Sequence, residues 1–149
     1  MAIARGAGTE IIRSACFKGM DSTAQDLIFG EQHHIYTVLS VIFHTQTWQA
    51  AGNYIQLRLN AYDSKAGTTN QSIIIAQQDL SVTQSFVWND KFSFNGHEPT
   101  DFTGPLDDAT KQNAIADQGS SVAQKLVIST EHASDAAHCT VTFIDQNNS

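Results

Sequence analysis

Charge is scarce in this chain: 15% of its 149 residues are Asp, Glu, Lys or Arg. Lys and Arg together number 8 against 15 acidic residues, a formal net charge of −7. That balance argues against a nucleic-acid partner, which needs clustered Lys and Arg to displace counterions. No run of like charge is long enough to act as an interaction tail. Cysteine is nearly absent, with only Cys16 and Cys139, too few for a disulfide framework. The two read as small buried apolar residues, a Cys16–Cys139 bond being the minor alternative. No apolar run reaches the length of a membrane span or of a signal peptide, so no membrane partner is expected and the chain is expected to fold in a cytoplasm. Catalytic signatures are also missing. No Gly-rich phosphate loop precedes a Lys-Ser or Lys-Thr pair, and no Gly-x-Ser-x-Gly elbow occurs.

What fills the chain instead is uncharged. Apolar residues make up 41%, and Gln, Asn, Ser and Thr supply much of the rest. That mixture suits strands with exposed faces and many turns, and it is unlike a charged helical bundle. A chain of this length buries about 70% of its unfolded surface, enough for one core.

Residues 1–10, rich in small side chains around Gly6 and Gly8, read as a flexible arm. Residues 11–149 read as one antiparallel β-sandwich, a jelly roll or related Greek key. "IIRSACF" (Ile11–Phe17) is its first strand. The charge on Arg13 makes the Ile12/Cys16 face a candidate for the inward one. "DLIFG" (Asp26–Gly30) is a short second or edge strand. "HIYTVLSVIFHT" (His34–Thr45) is apolar on both parities, with Ile35, Leu39, Val41 and Phe43 against Tyr36, Val38 and Ile42. A straight strand of that pattern is covered on both faces. "YIQLRLNAY" (Tyr54–Tyr62) alternates cleanly, Ile55, Leu57, Leu59 and Ala61 inward. "DSKAGTTN" is turn chemistry and "SIIIAQQ" a return strand. "NGHEPTDFTGPL" holds both prolines and reads as a long loop. "LDDATKQNAIADQG" predicts one short surface helix near 107–118, with Asp107 and Asp108 at its positive end and Gly119 at its stop. "QKLVIST" and "CTVTFID" close the chain as strands flanking a hairpin loop, "EHASDAA".

In "SFVWNDKFSFNG" (Ser85–Gly96), Phe86, Trp88, Phe92 and Phe94 share a parity with Asp90. Four aromatics in strand alternation predict an inner wall. Burying Asp90 among them unpartnered would cost several kcal/mol. The sequence therefore predicts either a bulge at Asn89–Asp90 that turns the carboxylate outward, or an Asp90 held by backbone N–H groups or Arg58.

Candidate chemistry is thin. His34 and His44 lie about 33 Å apart along an extended strand and cannot share a metal. His132 and His138 could meet across a hairpin, but nothing completes a ligand set. Glu98, Asp101, Asp107 and Asp108 are clustered without EF-hand spacing. No catalytic residue, metal or cofactor is assigned. Trp48 and Trp88 are the candidate ligand contacts, as stacking surfaces for a sugar.

Four segments carry a resemblance: "EQHHIYTVLSVIFHT", "FVWNDKFSFNG", "DDATKQNAIADQGSSVAQKL" and "HASDAAHCTVTFIDQNN". They resemble small virion structural proteins of tailed phages of marine cyanobacteria, over much of the chain from Glu31 onward. The resemblance implies a non-enzymatic virion protein. A capsid decoration or cement subunit is the leading expectation, made in the host cytoplasm and bound to major capsid proteins at the capsid surface. It implies a homo-oligomer, with a trimer favoured. A fibre or tail component, or a carbohydrate-binding adhesin using Trp48 or Trp88, is the alternative.

Overall fold

A computed structural model describes residues 6, 8–100, 104–105, 107–116 and 120–148, with side chains described up to 113 in the helical segment. Eleven strands and one helix are present among them. Sheet A runs β1 (Glu10–Met20), β11 (Ala136–Asn147), β3 (His34–Thr47) and then β6 (Ser85–Trp88), with β7 (Phe92–Asn95) continuing the same edge against β3. Sheet B runs β2 (Gln25–Phe29), β10 (Lys125–Thr130), β4 (Tyr54–Asp63) and β5 (Thr68–Asp79). All the pairings are antiparallel. The chain passes repeatedly from one sheet to the other, so this all-β sandwich has the strand order of a jelly roll.

The core lies between the sheets. Val38, Val41, Phe43, Val141 and Phe143 face Ile55, Leu57, Leu126 and Ile128, all essentially inaccessible. In β4 the predicted inward set, Ile55, Leu57, Leu59 and Ala61, does face the core.

The apolar run of β3 is explained differently from its sequence reading. Val38 pairs with Phe143 and Ser40 with Thr142, which leaves Leu39 as an extra residue. This β-bulge shifts the side-chain phase by one. Tyr36 and Val38 are buried before it, Val41 and Phe43 after it, and Ile35 and Ile42 stay exposed. One face is covered, not two. In β1 the inward residues are Ala15 and Phe17, and Ile12 is 71% exposed. The Arg13 guanidinium lies 5.6 Å from the Phe143 ring centroid, so a cation on the inward parity is accommodated at the sandwich margin.

Cys16 pairs with Thr140, while Cys139 pairs with Phe17. The two cysteines thus sit on opposite faces of sheet A, both as free thiols, Cys16 exposed and Cys139 buried. Burial, with a smaller contribution from Cys16, pushes the Cys139 thiol up to about 12.

The aromatic strand is broken where predicted. β6 ends at Trp88, β7 starts at Phe92, and Asn89, Asp90 and Lys91 between them are exposed. Part of the proline loop is ordered differently from expectation: β8 (His97–Pro99) pairs with β9 (Ser121–Ala123). This ribbon hangs from a close crossing in which Gly30 N–H donates to Gln124 O and Gln124 N–H to Gly96 O. "EHASDAA" joins sheet B to sheet A and is not a hairpin. The helix, α1 (Ala109–Ala116), is capped by Asp108, whose carboxylate accepts from Lys111 N–H at 2.9 Å. Residues 1–5 and 7 of the predicted arm lie outside the described residues. Gly8 and Thr9 are tied by backbone hydrogen bonds to Asn147.

Candidate functional site

Four places concentrate polar or aromatic side chains, and they differ in what they can do. At one end of the sandwich Asp135, 1% exposed, accepts from Gln49 N–H (2.7 Å), His132 N–H (3.0 Å) and the Asn53 side-chain amide. It clamps the β10–β11 connection to the β3–β4 loop. Trp48 belongs to this clamp: its indole N–H donates to Asn53 O at 3.3 Å and its ring is half-buried against the core.

At the opposite end His34 Nδ1 lies 2.6 Å from Asp145, and its Nε2 is 3.4 Å from Glu31. The pair is nearly buried, with side chains 11% and 10% exposed. A carboxylate orients the imidazole as in acid–base sites, yet among the described residues no hydroxyl or thiol nucleophile hydrogen-bonds His34. His132 accepts from Ser134 N–H within its own loop and does not meet His138. Of the acidic cluster, Glu98 accepts from Asn95, Asp107 pairs with Lys111 at 2.7 Å, and Asp101 lies outside the described residues. Among the described residues no group of three or more His, Cys, Asp or Glu could hold a metal.

A third place is a small cleft where β5 and β6 leave the two sheets apart, lined by Phe43, Ile55, Ala76, Gln77, Phe86 and Trp88, among others. Trp88 is half-buried here, packed on the core, and its indole N–H is buried with no hydrogen-bond partner among the described residues. Trp48 does not line this cleft. The two candidate tryptophans therefore do not form one platform.

The fourth is the outer face of sheet A. Register places its side chains in rows: Ile12, Ile144, Thr37 and Ser93; then Ser14, Thr142 and Ser40; then Cys16, Thr140, Ile42 and Val87; then His138, His44 and Ser85. None of these is Asp, Glu, Lys or Arg, and the next row, Glu10, Gln146, Ile35 and Asn95, brings one carboxylate to the corner of the face. Hydroxyls pair across strands, Ser14 with Thr142 at 2.9 Å and Thr37 with Ser93 at 3.4 Å. Ile12 and Val87 stand out at 71% and 52% exposed, with Ile42 between them at 41%. Asp90 and Lys91 border this face at the β6–β7 edge. Away from the Glu10 corner, such a face can be covered without stripping water from an ionised group. The sequence reading missed it because Ile12 and Cys16 were candidates for the core. The exposed parity of β1 follows only from its pairing with β11.

No family model matches the chain, and no curated protein matches it. Among solved structures, one similar chain is described as "Bacillus endospore appendages form a novel family of disulfide-linked pili". The match is at 12% identity with a TM-score of 0.44, covering 100% of this chain and 97% of that one. A likeness that remote supports no inference about what this chain does.

Proposed function

We propose that this chain is a non-enzymatic structural subunit of a tailed-phage particle, a capsid decoration or cement protein that binds the major capsid protein through the outer face of sheet A. The observation that carries this reading is the middle of that face, four rows without a charged side chain, studded with exposed Ile and Val and rich in Ser and Thr. In a protein of net charge −7, such a face lets another protein surface come into contact without like-charge repulsion or costly desolvation. The resemblance of four segments to cyanophage virion proteins supplies the particle. In this reading the subunit is a homo-oligomer, with a trimer favoured, and works at the capsid surface after synthesis in the host cytoplasm.

Labelling intact particles with an antibody to this chain tests the location: regular label over the capsid is expected. Presence in infected-cell extract together with absence from purified particles would sink the proposal. The contact is tested by Val87→Asp and Ile42→Asp, which should keep the fold and abolish binding to capsids that lack the protein.

A second reading, a carbohydrate-binding adhesin or fibre component, rests on the unpartnered Trp88 indole N–H in the β5–β6 cleft. It predicts glycan-array binding that Trp88→Phe weakens, because phenylalanine keeps the ring and removes the donor.

A further inference from the structure

His44 in β3 and His138 in β11 are direct cross-strand partners. Their ring centroids lie 6.3 Å apart and their planes are 6° from parallel. On the other side of His44, its β6 partner Ser85 places a hydroxyl 2.8 Å from Nδ1. A metal-bound imidazole uses one nitrogen for the ion while its other N–H is held by a hydrogen bond that fixes the ring. His44 has that arrangement when Nδ1–H donates to Ser85 Oγ, which leaves the Nε2 lone pair free. The His138 ring makes no hydrogen bond among the described residues.

We propose that His44 and His138 form a two-imidazole site for a first-row transition-metal ion of the Cu2+, Ni2+ or Zn2+ class. Imidazole prefers these ions over Mg2+ or Ca2+. With metal–nitrogen bonds of about 2.0–2.1 Å, a shared ion sits roughly 3 Å from each ring centroid. Rings 6.3 Å apart and nearly parallel lie just beyond that span, so both side chains must rotate to tilt and close the rings before the two nitrogens meet on one ion. The backbone needs no change, because both strands are central in sheet A. No third His, Cys, Asp or Glu joins the pair among the described residues. The ion therefore keeps open positions for water or for a donor from another molecule on this face. The site stands on these two side chains whether or not the chain belongs to a virion.

Titrating the full chain with Cu2+, the tightest binder of the series, tests the proposal by calorimetry and by electron paramagnetic resonance. One ion at the strongest site and a two-nitrogen signal are expected. His44→Gln and His138→Gln should each weaken that site by at least about tenfold, with Ser85→Ala acting in the same direction. A readout that needs no variant is NMR: trace Cu2+ should broaden the rings of His44 and His138 before those of His33, His34, His97 and His132. Unchanged affinity in both Gln variants, or first broadening at His34, would overturn the site.

Discussion

Strands β11 and β5 are each twelve residues long, and they are treated very differently. β11 has hydrogen-bonded neighbours on both sides, β1 and β3, and every second side chain is buried from Ala137 to Asn147. β5 has a neighbour on one side only, β4. Its Ile73–Ile74–Ile75 triplet is more apolar than anything in β11, yet Ile74 is 57% exposed. An extra residue helps explain this: Leu57 pairs with Ala76 and Arg58 with Ile74, so Ile75 is bulged. Ile75 and Ala76 turn to the core while Ile73 and Ile74 face water. Burial here is set by position in the sheet, with hydropathy second. A bulge on an apolar edge also spoils it as a template for an added strand.

The comparison is sharpest in stability. Phe143→Ala in β11 should cost about 3–5 kcal/mol, the range for a large side chain lost from a packed core. Equilibrium denaturation reads it, and a loss under about 1 kcal/mol would mean that β11 is not the centre of the core. Next comes Asp135→Ala, which strips the acceptor from the N–H groups of Gln49 and His132. Losing these part-buried contacts predicts a loss of about 1–3 kcal/mol, with the β10–β11 connection losing hydrogen-exchange protection first.

The thiols probe the two faces of sheet A. A thiol reagent at neutral pH should label Cys16 and spare Cys139, and both should react on unfolding. The folded value for Cys139 is raised from 9.0 to about 12, chiefly by burial. The neutral thiol therefore contributes stability in full below pH 9.0, and that contribution is lost as pH rises toward 12. Cys139→Ala should flatten that part of the alkaline stability profile, and an unchanged slope would place the thiol in water. Smallest of all is Ile74→Ala in β5, expected within about 0.5 kcal/mol of the parent. A cost near that of Phe143→Ala would show that β5 is covered in the folded protein, by a neighbour or another copy.

The sequence carried the fold wherever a strand kept one phase. β4 is legible because Ile55, Leu57, Leu59 and Ala61 alternate without interruption. Asp90 is legible because an ionised group among four aromatics has few ways out. β3 is not, because one inserted residue makes a singly covered strand look doubly covered. β1 is misread because Arg13 marks its parity as polar, although the guanidinium finds Phe143. The β8–β9 ribbon escapes notice because three-residue strands leave no periodicity to detect. The candidate face and the His44–His138 pair depend on the register of β1, β11, β3 and β6. Local pattern does not encode that register. It is set jointly by the bulges and by core packing.

Leu39 bears on how this chain can change length. Removing one residue from a central strand ordinarily turns every side chain beyond it inside out. Removing Leu39 would instead set Val38 beside Ser40 against Phe143 and Thr142, which is an unbroken ladder. Inner residues on either side would keep their orientation. On the far edge, the break at Asn89–Lys91 leaves room for the slack. The middle of β3 is thus a point where descent can delete a residue without rebuilding the core. Chains of common ancestry that differ by one residue in this strand would be expected to show the gap here.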